Sequence, residues 1–194
     1  MAALRQTPEA ITVLIREHDA CREQLAQTGL ALASVRVGDP ASLERAHAPA
    51  RALLRYLETA LETHIAKEEG PLFTRFKAAL PASDRLIDEM VAEHDLIRMK
   101  RDDVQGVLAE LLGGHDDLRV ERQALRSVMA ELKRPATVPA QLTVAVETVA
   151  TKLRVHFQNE EELVFPLAPD LLSEQDLTAV LEEMAAIEET ETAS

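Results

Sequence analysis

Glu17-His18-Asp19 is followed, 46 residues after its histidine, by His64-Ile65-Ala66-Lys67-Glu68-Glu69. Glu93-His94-Asp95 is followed, 62 residues after its histidine, by His156-Phe157-Gln158-Asn159-Glu160-Glu161. Four of the six histidines in this 194-residue chain therefore fall into two copies of one pattern, His…His-x-x-x-Glu. Residues i and i+4 of an α-helix lie on one face, one turn apart. His64 with Glu68, and His156 with Glu160, can each address one point from one helix. Four imidazoles and two carboxylates make a complete donor set for a pair of transition-metal ions.

Outward from these segments the sequence is helical throughout. Thr7-Pro8-Glu9 reads as a helix start, with a capping residue, proline at the first helical position and an early acid. That helix is expected to reach Ser34, ahead of Val37-Gly38-Asp39-Pro40. A second is expected over 49–69, stopped by Gly70-Pro71 and continued after a kink through 72–80. Ser83 is expected to cap a third that stops at Gly113-Gly114. A short extra helix is expected over 117–134. Pro139 opens a fourth long helix running to Val164, and 173–187 forms a last amphipathic helix before an acidic tail over 188–194. No segment has strand periodicity.

Apolar stripes at spacing three or four orient the candidates. The first helix gives Ile11, Leu14, His18, Cys21, Leu25 and Leu32. The second gives Leu54, Leu57, Leu61, His64, Glu68 and Leu72. The third gives Ile87, Met90, His94, Ile97, Val104, Leu108 and Leu111, interrupted by Arg101. The fourth gives Leu142, Ala145 or Val146, Val149, Leu153, His156, Glu160 and Leu163. Such stripes face the centre of a bundle. The predicted fold is all-α, an up-down four-helix bundle with one extra short helix and a C-terminal helix, as a single domain over 1–194 with a core of about 8–168.

Composition narrows the function. The formal net charge of −13 leaves no basic cluster for phosphate, which argues against a nucleic-acid partner. No apolar run approaches a membrane span, and the N-terminus lacks a signal-peptide core. With one cysteine, Cys21, no internal disulfide forms. A soluble, cytoplasmic protein is expected.

Glu68 and Glu160 are the decisive positions. An ionised carboxylate buried among leucines costs several kcal/mol unless a cation or strong donors meet it. No Lys or Arg takes the matching inward places of the neighbouring stripes, so a metal would supply the missing charge. The donor set excludes a sulfur-rich zinc site and oxygen-only magnesium or calcium sites. Iron, manganese, copper and zinc remain. If both glutamates bridge two ions, each ion receives two histidine nitrogens and two carboxylate oxygens, and an oxo or hydroxo bridge makes five donors.

The doubled EHD…HxxxEE pattern, with Phe73 and Phe165 nine residues beyond the paired histidines, resembles the hemerythrin-like, or HHE cation-binding, family. The resemblance covers about residues 8–168. It keeps Phe165-Pro166 in the second half but has Thr74 after Phe73 in the first. It implies a four-helix bundle with a non-haem centre of two iron ions joined by an oxo or hydroxo bridge. It also implies His18, His64, Glu68, His94, His156 and Glu160 as ligands. The oxygen carriers of that family add a fifth histidine where this chain has Arg98. The symmetric set is more similar to bacterial members associated with nitric oxide stress and iron–sulfur cluster repair, which often carry an extra cysteine-bearing N-terminal domain that is not expected here.

The expected function is binding of, or reaction with, nitric oxide, oxygen or peroxide, with an unknown electron donor. A non-catalytic oxygen or nitric oxide store or sensor, and a bundle with structural zinc, are the alternatives. Around the site, most of Phe73, Phe76, Phe157 and Phe165 are expected to form a dry wall. Glu69 and Glu161 are candidates to orient imidazoles, with at least one expected in solvent. Asp19 and Asp95 point away from their own histidines. Cys21 and Tyr56 read as packing, His115 as a solvated loop residue, and His47 as outside the metal set. The two extra helices are the candidate surface for a homodimer, or else pack on their own bundle.

Overall fold

The computed structural model describes residues 7–36, 39–116 and 137–192, and these are helical with no strand among them. Helix α1 spans Glu9–Ala33, α2 Pro40–Glu58 and α3 Ala60–Lys67. A wide π-turn over Glu68–Leu72 leads into α4, Phe73–Ala79. A 3-10 turn over Pro81–Ser83 precedes α5, Asp84–Asp116. Helix α6, Thr137–Asn159, ends in a second π-turn over Glu160–Val164. A 3-10 turn over Phe165–Leu167, the short α7 over Ala168–Leu171 and then α8, Glu174–Thr192, complete the described chain.

Four rods close a ring: α1 packs on α2 and α6, and α5 packs on α6 and α2. Two apolar clusters fill its ends. One joins Leu32 of α1, Ala46 and Leu53 of α2, Leu108 of α5 and Leu142 of α6. The other joins Ile11 of α1, Phe73 and Phe76 of α4, Ile87 of α5 and Val164 after α6. The beginnings of α1 and α5 thus meet the ends of the α2–α3 rod and of α6, which is up-down order. His18, His64, His94 and His156 lie in the layer between the two clusters.

Several boundaries differ from expectation for local reasons. Helix α2 begins at Pro40, not Pro49: Asp39 accepts from the Ala41 amide at 3.0 Å as an N-cap, and Pro40 takes the first turn. Pro49 lies inside that helix. The rod then breaks at Thr59, whose φ of −118° and ψ of −78° separate α2 from α3. Pro8, not Thr7, occupies the N-cap position of α1. Ser83 immediately precedes α5, its hydroxyl donating to the Leu80 carbonyl at 2.7 Å. Helix α5 runs through Gly113-Gly114, so His115 is helical rather than in a loop.

Two inward assignments move. Leu53 is buried where Leu54 was expected, and Leu163 is 51% exposed where it was expected inside. The π-turn over Glu160–Val164 adds residues to that turn, so Val164 and Phe165 become the buried pair instead. The expected helix over 117–134 and the side chain of Leu111 lie outside the described residues.

The C-terminal region is better ordered than an acidic tail. Ser173 and Asp176 cap α8 reciprocally: the Asp176 amide donates to Ser173 Oγ and the Ser173 amide donates to Asp176 Oδ2, both at 3.1 Å. Val180 and Met184 are buried, and α8 packs on α1 and α3 of its own bundle. Glu188, expected in the tail, pairs with Lys67.

Candidate metal centre

Each rod delivers one histidine to the mid-bundle layer, from its apolar stripe. His18 and His94 are fully buried, and His64 and His156 nearly so. Glu68 and Glu160 each stand at the first residue of a π-turn, one turn beyond His64 and His156. Both are 0% exposed. The π-turn is therefore a repeated feature of the site, and it falls where the chain must turn a carboxylate and then a phenylalanine inward.

The six side chains form two overlapping groups. His18, His64, Glu68 and Glu160 bring one donor atom each within 4.8 Å of one another, and so do His94, His156, Glu68 and Glu160. Oε1 of Glu68 lies 3.2 Å from Nε2 of His64 and 3.8 Å from Nε2 of His18. Its Oε2 lies 3.3 Å from Nε2 of His94. Oε2 of Glu160 lies 3.3 Å from Nε2 of His18. Its Oε1 lies 3.3 Å from Nε2 of His156 and 3.8 Å from that of His94. Each carboxylate thus presents one oxygen to each histidine pair.

Whether these residues suit a metal is answered by what else they touch. All four oxygens of Glu68 and Glu160, and Nε2 of His94 and His156, are buried without a hydrogen-bond partner. Nε2 of His18 and of His64 approach within 3.0 Å. Buried polar atoms are ordinarily satisfied. Six that are not, converging on one spot with nitrogen and oxygen donors, fit a pair of cations.

In the protein alone, protons do part of this work. Burial opposes a charge on His64, but the neighbouring Glu68 and Glu17 more than offset it and raise its pKa to about 10. His94, opposed by burial and favoured by Glu68 and Glu69, rises to about 9. His18 also rises, and Glu68 is held well below the usual carboxylate range despite its burial, by His64, His18 and His94.

The outer nitrogens of all four imidazoles are held by carboxylates. Nδ1 of His18 donates to Glu161 at 2.7 Å and Nδ1 of His94 to Glu69 at 2.8 Å. Nδ1 of His64 donates to Glu17 and Nδ1 of His156 to Glu93, both at 2.9 Å. A carboxylate on Nδ1 fixes the tautomer and leaves the Nε2 lone pair for a metal. Glu69 and Glu161 both orient imidazoles, so neither is left to solvent. Glu17 and Glu93 were not anticipated; the recurrence of Glu directly before His in both copies was the available signal.

These carboxylates are held in turn. Arg22 donates to Glu161 at 2.8 Å and to Asp19 at 2.9 Å. Arg98 reaches Glu69 at 3.5 Å, Asp95 at 3.1 Å and Glu62 at 3.1 Å. Lys67, buried although it adjoins Glu68, turns its Nζ to Glu17 and Glu188 instead. Asn159 donates to Glu93 at 3.2 Å.

Three phenylalanines wall the imidazoles. Phe157 stacks on His18 at 3.9 Å between ring centres, and Phe165 on the same ring at 5.6 Å. Phe73 stacks on His94 at 6.1 Å. Phe76 packs in the adjoining apolar cluster. Tyr56 donates to the Glu17 carbonyl at 3.3 Å. Burial pushes the Cys21 thiol up to about 12. His47 pairs with Glu44 at 3.5 Å and belongs to neither donor group. Among the described residues no helix is long and apolar enough to cross a membrane.

Comparison with known families places this geometry. The family described as the hemerythrin HHE cation binding domain matches residues 9–119, more than half of the chain. The chain belongs to that family. The match ends before His156 and Glu160, which the fold brings to the same centre. Searches of curated proteins and of solved structures returned no match.

Proposed function

We propose that this hemerythrin-family chain is a dinuclear non-haem iron protein that binds or reacts with a small molecule: nitric oxide, oxygen or peroxide. The observation that carries this reading is the sharing of both glutamates, each with one oxygen toward each histidine pair. His18 and His64 would hold one ion, His94 and His156 the other, and Glu68 and Glu160 would bridge them, with an oxo or hydroxo bridge between the irons. When bound, the iron pair supplies redox and Lewis-acid chemistry toward the small ligand.

The chain's own residues prepare that chemistry. The four carboxylates on the Nδ1 atoms hold protons there and keep each Nε2 aimed inward. Phe73, Phe157 and Phe165 exclude water from the imidazole faces. Four residues after His94, Arg98 turns outward to Glu62, Glu69 and Asp95, so each ion is offered two imidazoles. This balance favours a role in oxidative or nitrosative stress defence, or in iron–sulfur cluster repair, over oxygen carriage. Electrons would come from a separate donor.

Anaerobic loading with ferrous iron, followed by metal analysis and absorption spectroscopy, tests the reading. About two irons per chain, and consumption of nitric oxide or peroxide, are expected. A stable and reversible oxygen adduct would mark a store or sensor instead. Tightly held zinc with no iron uptake would mark a structural site.

A further inference from the structure

The two halves of the centre repeat each other in their four orienting carboxylates and differ in what holds two of those carboxylates. Arg22 and Arg98 each follow the EHD histidine by four residues, and each holds a carboxylate that orients an imidazole. Lys67 and Asn159 each follow the HxxxEE histidine by three residues and occupy equivalent places on Glu17 and Glu93. One is a cation and the other is a neutral amide.

We infer that this exchange of lysine for asparagine makes the two metal positions unequal, with the His94–His156 side taking and holding its ion more tightly. The inference rests on the dinuclear reading above. Two effects act in the same direction. Lys67 is 1% exposed, so its positive charge is poorly screened and opposes a cation on the His18–His64 side. Glu188 offsets part of it, but that carboxylate is 55% exposed and water screens it. On the other side Asn159 brings no charge. Among the described residues Glu93 has no ion pair with Lys or Arg; Lys152 lines the same small cleft but is exposed and not paired with it.

The second effect passes through the imidazole. Glu17 divides its charge between Lys67 on Oε1 and His64 on Oε2. Glu93 receives only a neutral donor on Oε1, which leaves Oε2 the stronger acceptor for the Nδ1 proton of His156. A stronger acceptor on Nδ1 makes Nε2 the better metal ligand. Lys67 and Asn159 are thus positioning residues that act through Glu17 and Glu93.

Zinc(II), which is diamagnetic, tests this with the full-length chain. Repulsion between two dications would separate the binding steps even in a symmetric centre, so the side filled first is the discriminating readout. At one equivalent of zinc, the ring nitrogen resonances of His94 and His156 should shift before those of His18 and His64. In the double exchange K67N/N159K the order should reverse. N159K alone, which leaves Lys67 in place, should weaken the first step about tenfold in chelator competition. Filling of His18 and His64 first in the wild type, or an order indifferent to the exchange, would overturn the inference. Uptake of fewer than two zinc ions would instead overturn the dinuclear reading beneath it.

Discussion

Oε2 of Glu17 accepts the Nδ1 proton of His64 at 2.9 Å, across the packing of α1 on the α2–α3 rod. The pair joins residues 47 positions apart and sets the direction of one imidazole toward the centre of the bundle. Glu17→Ala removes that hold while Lys67 keeps Glu188. Metal affinity should fall by about 10- to 100-fold, with the helical circular dichroism unchanged. Chelator competition measures it; an unaltered affinity would show that packing alone orients His64.

Loss of a shared carboxylate should differ from loss of one imidazole. Glu68 faces His64 with Oε1 and His94 with Oε2, so Glu68→Gln should abolish loading of both ions. His156→Ala removes a donor from one group only and should leave about one ion bound. Metal-to-protein ratios after desalting distinguish the two.

Proton linkage gives a pH dependence with opposite signs for the two states. His64 and His94 in the metal-free protein have pKa values near 10 and 9, above the unfolded value of about 6.5. Their contribution to metal-free stability is fully present below about pH 6.5 and is lost as pH rises through 9 and 10. Denaturant unfolding of the stripped protein should show that decline. A metal must displace the same protons, so loading at pH 7 should release acid, and affinity should rise with pH. Calorimetry in buffers of different ionisation enthalpy measures the release.

Phe157 stacks on His18 and lies under the Arg22 guanidinium, 5.4 Å from its ring centre. It is 1% exposed. Phe157→Ala should cost about 3–5 kcal/mol of stability. It should also admit water to the His18 face, seen as faster metal loss to a chelator.

Cys21 is buried, and burial raises its thiol to about 12 despite the opposing Arg22 charge. Thiolate is the reactive form. The folded protein should therefore resist iodoacetamide at pH 8, and alkylation should appear only with unfolding. Rapid labelling under native conditions would contradict the burial.

The bundle and the six central residues were readable because they obey one local rule, an apolar stripe of helical period that includes His18, His64, Glu68, His94, His156 and Glu160. What escaped that rule involved partners on other helices. Glu17 and Glu93 sit about 100° around the helix from the inward face, so spacing within their own segments says nothing of their pairing with His64 and His156. The π-turn at Glu68 carried a hint in Gly70-Pro71, but the one at Glu160 carried none, and Leu163 was misplaced for that reason. The start of α2 was written in Asp39-Pro40, and Pro49 drew the boundary away from it.

The orienting carboxylates are partly exchanged between the repeats. Glu17 and Glu93 serve histidines of their own half, whereas Glu69 serves His94 and Glu161 serves His18. A fragment limited to either repeat would have one imidazole without its anchor and two helices with a naked oily side. Two copies of that fragment, related by a twofold axis, would restore both. A split version of this protein should accordingly regain its ion-binding capacity only on self-association or on mixing with the missing piece.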